Sequence, residues 1–328
     1  MSAVFLGASI PTRRALGTAL PAPPPRPPWL KNKLRTGDSY SELKRLVRGL
    51  SLHTVCEEAS CPNIYECWEQ REATFLILGD RCTRRCGFCD IATGRPAPLD
   101  PSEPARVAEA VAAMGLSYVV VTGVERDDAS PKAVAEIWAA TIREIRRRAP
   151  GCGVEVLTGD LKGDGEALGV VMEAEPEVFA HNLEAPRRLH RRIRPGFRYD
   201  RSLFILATAK ERAPSIPTKS NLILGFGESF EEVVEAMRDL RGAGVDLLTI
   251  GQYLSPSLDH HLPVERWVSP SEFAQYKRIG EEEMGFALVE AGPLVRSSYH
   301  AGKQYRAAAA RLGSLPPREE EADRRLDA

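Results

Sequence analysis

No stretch of this 328-residue sequence approaches the roughly 18 to 20 consecutive apolar residues that a membrane-spanning helix needs. The early apolar run Ala3 to Ala8 is also too short for a secretory core, so the sequence predicts a soluble chain that is not exported. A surplus of charge is missing as well. The formal net charge is -1, and no overall field draws in nucleic acid or an anionic membrane surface. Any partner is then recognised by local patches. The opening segment contains no acidic side chain, carries Arg13 and Arg14, and ends in the proline-rich run Pro21 to Pro28, which favours extended polyproline conformation. Residues 1–28 are expected to be disordered. An acid-free, arginine-containing start also suits an organellar transit peptide, but it lacks amphipathic arginine periodicity. The cytoplasm is the expected compartment, with a mitochondrion or plastid as the alternative. An even cysteine count is absent too: six of the seven cysteines crowd between Cys56 and Cys89, which excludes a dispersed disulfide framework and points to metal.

With 43% hydrophobic residues, the chain can bury one large core. Short β-branched runs alternate with helical patterns at Thr74 to Leu78, Tyr118 to Thr122, Val154 to Leu157, Val178 to His181, Asn221 to Leu224 and Leu247 to Ile250. In Ser229 to Gly244, Phe230, Val233, Val234, Met237 and Leu240 share one helical face, and Ser229 with Glu232 forms a capping box. The alternation predicts an α/β fold, a partial (β/α)6 TIM-type barrel over residues 74–290. Chemistry is expected in the loops after the strand C-terminal ends. Asp80 and the cysteine loop, Thr122 to Asp128, Asn182 with Glu184, and Gly225 to Glu228 all fall there. A cysteine-rich extension (29–73) precedes the barrel, a segment at 291–306 closes it, and 307–328 reads as a solvated tail.

Cys82, Cys86 and Cys89 form a C-x3-C-x2-C pattern directly after the first barrel strand. Three soft thiolates suit three irons of a [4Fe-4S] cube, and the fourth iron keeps an open position where an amino and carboxylate group can chelate. A zinc site is the alternative, but this loop lacks the paired C-x2-C elements and fourth ligand that zinc motifs supply. Phe88, inside the triad, either stacks on a bound adenine or closes the loop. Cys56, Cys61 and Cys67 make a second triad without a fourth cysteine. Cys152 sits between Gly151 and Gly153 at the start of a strand and reads as a buried free thiol. The segment RSSYHA near the C-terminus offers Ser297, Ser298 and His300 as non-sulfur ligands. An alkoxide is a hard, weakly matched ligand for iron, which suits a cluster that is dismantled.

These residues resemble a known family. CTRRCGFC resembles the radical S-adenosylmethionine signature, and CEEASCPNIYECW with GPLVRSSYHA closely resembles the lipoyl synthase family; VVTGVERDD, FAHNLE, RRIRPG and TKSNLILGFGE match further. The resemblance covers roughly Trp29 to Gln304. It implies two [4Fe-4S] clusters. The one on Cys82, Cys86 and Cys89 generates a 5′-deoxyadenosyl radical from S-adenosylmethionine. The one on Cys56, Cys61 and Cys67, with a serine of RSSYHA as fourth ligand (Ser298 preferred over Ser297), donates sulfur. Two atoms enter at C6 and C8 of a protein-bound octanoyl-lysine, and two S-adenosylmethionine molecules are used per lipoyl group. An unactivated methylene has no acidic proton and no leaving group, so radical chemistry is required. Asn182, Glu184 and Arg194 are expected to contact S-adenosylmethionine, with a polar surface loop that binds nothing the competing account. Implied partners are octanoylated lipoyl carrier domains of 2-oxoacid dehydrogenase complexes and the glycine cleavage H protein, an electron donor such as ferredoxin or flavodoxin, and an iron-sulfur carrier.

Arg187, Arg188, Arg191 and Arg192 form either a solvated face or a docking patch for an acidic carrier. Asp127 with Asp128, and His260 with His261, read as loop capping or solvation. The chain departs from the family pattern at Gly123, Glu125, Asn221 and Ala185 to Arg187, none of them a cluster ligand. A biotin-synthase-like enzyme would build its auxiliary cluster from barrel residues, which Cys152 alone cannot supply. A zinc-stabilised binding module is the alternative outside enzymology.

Overall fold

The computed structural model of the protein describes residues 25–30, 38–50, 52–59, 61–69, 72–257 and 259–313. The proline-rich start up to residue 24 and the tail from 314 onward therefore lie outside the described residues. One sheet organises the chain. Its strands are β1 (His53–Thr54), β2 (Thr74–Ile77), β3 (Tyr118–Gly123), β4 (Gly153–Leu157), β5 (Val178–Ala180), β6 (Thr218–Leu224), β7 (Leu247–Gln252) and β8 (Leu288–Gly292), adjacent in that order. β1 runs antiparallel to β2 and all other neighbours are parallel. The sheet stays open, with β1 and β8 as its edges.

All six expected strands are present, and the structure adds two. β8 carries Glu290, Ala291 and Gly292 in place of a β-branched run, and β1 has two residues, so neither presents a strand pattern. Helices α1 (Asp38–Gly49), α2 (Val55–Glu58) and α3 (Ile64–Glu69) precede the barrel. Its crossovers are α4 (Glu103–Ala113), α5 (Pro131–Arg148), α6 (Gly165–Met172), α7 (Arg187–Ile193), α8 (Tyr199–Arg212), α9 (Phe230–Gly242) and α10 (Pro270–Arg278), followed by α11 (Ala301–Leu312). Side-chain caps fix where several of them begin: Ser130, Asp164 and Ser269 each accept a first-turn N–H, and Ser229 and Glu232 complete the capping box.

The two faces of the sheet differ in chemistry. Val119, Val121, Val154 and Val156 pack outward among Val107, Val111, Trp138 and Ile142 of the helices. The intervening residues carry polar groups toward the concave side. There Lys219 donates to both oxygens of Glu155 at 2.9 and 3.2 Å, Tyr118 donates to the same carboxylate at 3.2 Å, and Thr249 donates to Asn221 at 2.8 Å.

α11 closes one end of this concavity. Tyr305 stacks on Tyr118 at 5.7 Å, and a Cβ at Gly302 would lie 3.1 Å from that of Tyr118, so helix and strand meet at close range. Ala301 and Ala309 join the Tyr118, Val120 and Val178 cluster, while Ala308 joins Leu247 and Leu288. Tyr118, Val178, Leu247 and Leu288 are the first residues of their strands. The sheet thus curls around α11 at the end opposite the loops expected to carry chemistry. The helix reaches Leu312, beyond the point at residue 307 where a solvated tail was expected, because its alanine face is buried.

The Lys219 and Glu155 side chains are each only 1% exposed, so removing one leaves the other charged and desolvated. Lys219→Met is expected to lower unfolding free energy by about 3–5 kcal/mol in urea titrations. A loss below about 1 kcal/mol would show that the pair is dispensable to the fold.

Candidate active site

The cysteine loop starts where β2 breaks from extended backbone. Leu78 and Gly79 adopt φ of 69° and 98°, and the buried Glu103 carboxylate accepts their N–H groups at 2.7 and 3.4 Å. Backbone bonds then stitch the loop to its surroundings: Cys82 N–H to Ala92 and Gly94 N–H to Cys82, Thr83 N–H to Glu125, Gly87 N–H to Ile193, and Leu262 N–H to Gly87. His261 adds a ring nitrogen 3.1 Å from the Cys89 carbonyl. The three thiols stand near one another. Burial, with the neighbouring cysteines of the triad adding to it, pushes Cys86 up to about 11, against Arg194, and Cys89 up to about 12. Burial also raises Cys82, against the N–H groups of Arg84 and Glu125, which donate to its sulfur at 3.4 and 3.3 Å. Such a group ionises together only around strong positive charge, which suits three irons.

Beside it, Glu184 occupies the left-handed region at φ 69°. Its N–H donates to the Asn221 carbonyl and its own carbonyl accepts from Ile223, which holds the strained residue between β5 and β6. Asn182 and Asn221 donate to its two carboxylate oxygens at 2.8 and 2.6 Å. Burial raises the Glu184 carboxyl, opposed by Arg194, the two amides and Arg296. Arg194 donates to the Asn182 carbonyl and lies 3.6 Å from the Phe197 ring centre. Asn182 Oδ1 and Arg194 Nε are buried without a protein partner, an acceptor and a donor left for a polar ligand. Phe88 packs against the apolar group that includes Leu189, Phe226 and Tyr253.

The second triad is assembled by α2, α3 and the segment before α11. Thr54 caps α2, which contains Cys56; Cys61 N–H bonds back to Cys56, and Cys67 N–H to Asn63. Cys56, Cys61, Cys67, Thr74, Arg296 and Ser298 line one pocket. Thr74 donates to Ser298 Oγ at 2.9 Å, whereas Ser297 is not among the lining residues. Asn63 donates to the Leu294 carbonyl, Tyr299 donates to Glu66, and His300 lies 3.5 and 3.4 Å from Glu66 and Glu72. Burial pushes Cys56 up to about 12, with Cys61 adding to it, and raises Cys61 and Cys67 as well. Half-buried Arg296 feels both Cys61 and Glu184, and Glu184 in turn raises Cys86 and Cys89. Arg296 is thus a charge common to the surroundings of both triads. Among the described residues, no group of three or more His, Cys, Asp or Glu gathers closely enough to hold a single metal ion. A cube places its thiolates on separate irons, a wider spacing.

Other candidates have local roles. Cys152 is a core thiol beside β4, pushed up to about 12 by burial and then Glu177. Asp127 and Asp128 are ion-paired with Arg84 and Arg126, where capping or solvation was expected. Arg187, Arg188 and Arg192 pair with Asp200, Glu232 and Glu265, so most of that basic face is neutralised within the chain. The departures from the family pattern have physical counterparts. A Cβ at Gly123 would sit 2.9 Å from the Trp138 ring, one at Gly159 would overlap the Glu125 carboxylate, and Asn221 holds Glu184. Arg84, Asp160 and Arg296 belong to the site but carry no spacing that marks them in the sequence.

Comparison with known proteins gives concordant matches. The radical SAM superfamily model matches residues 76–240, and the model for the N-terminal domain of lipoyl synthase of the radical SAM family matches residues 23–61. Lipoyl synthases of Nocardia farcinica and Mycolicibacterium smegmatis are each 57% identical over 293 residues, 89% of this chain and 82% and 92% of theirs. Among solved structures, methylornithine synthase has a TM-score of 0.52 at 15% identity, covering 88% of this chain and 85% of that one. SuiB of Streptococcus suis with its precursor peptide has a TM-score of 0.51 at 13% identity, covering 85% and 59%.

His181, at the end of β5, meets the Thr158 carbonyl at 3.0 Å and the Ser202 hydroxyl at 2.9 Å. Burial, then Arg194, lowers its ring from the ordinary 6.5 to about 4. Because the folded value is depressed, the stabilisation is complete above pH 6.5 and is lost as pH falls toward 4. Thermal melts of cluster-free protein should show a larger loss between pH 7 and pH 5 for wild type than for His181→Gln. Equal losses would count against this assignment.

Proposed function

The chain belongs to the lipoyl synthase family of radical SAM enzymes, and from that premise we propose that its two cysteine triads divide one reaction between them. The reaction inserts two sulfur atoms at C6 and C8 of a protein-bound octanoyl-lysine. When bound, the cluster at Cys82, Cys86 and Cys89 supplies an electron that cleaves S-adenosylmethionine to a carbon radical, and the cluster at Cys56, Cys61 and Cys67 supplies sulfur. Ser298 is the fourth protein ligand of the latter. The observation that carries this reading is the shared cavity of Cys56, Cys61, Cys67 and Ser298, linked through Arg296 to Glu184 beside the other triad.

The residues have separable tasks. Arg194 offers its buried, unpartnered Nε to the carboxylate of S-adenosylmethionine, and Asn182 offers Oδ1 to a donor such as its ammonium or ribose. Glu184, held by Asn182 and Asn221, orients the ammonium end. Phe88, backed by Leu189 and Tyr253, supplies an apolar surface for the adenine. α11 seals the strand beginnings, so the reacting chain is kept from water on that side.

The substrate is an octanoylated carrier protein, with lipoyl domains of 2-oxoacid dehydrogenase complexes and the glycine cleavage H protein as the partners of this reading. A ferredoxin or flavodoxin delivers electrons, and an iron-sulfur carrier rebuilds the consumed cluster. No helix of the described residues is long and apolar enough to cross a membrane.

Anaerobic incubation of reconstituted protein with an octanoyl-lysine peptide, S-adenosylmethionine and reductant should yield a peptide heavier by two sulfur atoms as the dithiol, which loses two hydrogens on later oxidation to the cyclic disulfide. Cys86→Ala should abolish cleavage of S-adenosylmethionine; Cys61→Ala should retain cleavage and lose sulfur insertion. Lipoyl product from Cys61→Ala would defeat the donor assignment. Ser298→Ala should alter the auxiliary cluster's spectrum more than Ser297→Ala does, and the reverse ranking would transfer the ligand role.

A further inference from the structure

Between the first and second cysteines of the radical triad lies a charge that the reaction scheme does not use. The Arg84 side chain is only 5% exposed. Its Nε and Nη2 donate to the two oxygens of Asp127 at 2.8 and 2.7 Å, Nη1 lies 3.0 Å from Asp160, and Glu125 stands 3.6 Å away. The guanidinium also lies 4.4 Å from the Phe197 ring centre, and Gly196 leaves it room, since a Cβ there would fall 2.7 Å from Arg84 Cδ. Asp160 is fixed independently by Arg201 and by the N–H of Lys162. One side chain thereby joins the cysteine loop to the loops that follow β3 and β4 and to the chain after α7.

That joint governs what Cys82 feels. Two backbone N–H groups, from Arg84 on one loop and Glu125 on the other, donate to the Cys82 sulfur. Both can do so only while the loops hold their mutual register, which Thr83 and Arg84 fix by binding Glu125 and Asp127. N–H donation to a ligating sulfur and nearby positive charge both favour the reduced state of an iron-sulfur cluster. Without Arg84, the carboxylates of Glu125, Asp127 and Asp160 would face the cluster with fewer cations to offset them.

We propose that Arg84 is a positioning residue for the electron affinity of the radical-generating cluster. It clamps the cysteine loop to Asp127 and Asp160, keeps two N–H groups on the Cys82 sulfur, and neutralises the carboxylates around it. This inference rests on Cys82, Cys86 and Cys89 holding a [4Fe-4S] cluster.

The test is an anaerobic redox titration of the full-length, reconstituted protein, following the electron paramagnetic resonance signal that S-adenosylmethionine perturbs. At the wild-type midpoint, Arg84→Gln should contain about tenfold less reduced relative to oxidised cluster, the change expected from one lost charge-assisted hydrogen bond. Arg84→Lys, which restores the charge without the fork, should recover part of that loss. A purely structural role would leave the potential of a fully loaded variant where it was, and an unchanged midpoint in Arg84→Gln overturns the proposal. Should Arg84→Gln fail to fold, hydrogen exchange on the cluster-free Asp127→Asn protein decides: faster exchange at the amides of Arg84 and Glu125 supports the clamp, and wild-type rates overturn it. A wild-type protein without any reducible cluster would instead sink the functional reading itself.

Discussion

Three thiolates cannot share a buried corner unless positive charge sits among them. This constraint applies twice in the chain, and much of the surrounding structure serves it. At Cys82, Cys86 and Cys89, burial and mutual repulsion work against ionisation, while two N–H groups on Cys82 and the Arg194 guanidinium beside Cys86 work for it. At Cys56 and Cys61, the same desolvation is opposed by the backbone N–H groups of Thr74 and Asn63 and by Arg296 near Cys61. The protein supplies part of the compensation and leaves the remainder to iron.

The fold divides its labour accordingly. Outward valines and helix residues make an apolar layer that holds the sheet, so the concave side is free to carry Glu155, Lys219, Asn221 and Thr249. Every buried polar group there that bonds to a neighbour limits the others' freedom. Glu184 is the clearest case, since two amides and a pair of backbone bonds keep it in a left-handed conformation that a free chain would leave. The cysteine loop follows the same rule at Leu78 and Gly79, where Glu103 secures the turn.

Much of this was legible in the sequence. β-branched runs marked six strands, because a buried parallel strand is written as a continuous apolar stretch. The two cysteine triads were equally plain, since six of the seven cysteines crowd into one stretch at close spacing. β8 was not legible: Glu290 and Gly292 serve the concave face and disguise a strand. Arg84 and Asp160 escaped for another reason. Their partnership joins loops separated by a strand and a helix, and nothing in either local sequence announces the other. Asn221 and Glu125 looked like weaknesses in the family match, yet each has an answering residue, Glu184 in one case and the missing side chain of Gly159 in the other.

The position of α11 bears on how a tethered chain would be handled. Tyr118, Tyr305 and the adjoining alanines form a floor beneath the strand beginnings, and the opposite rim, at the strand ends, is where the loops gather. A vessel stopped at its base turns length into address. With the floor fixed, the reach of a tethered chain below the rim decides which interior residues it meets, as a plumb line finds its depth.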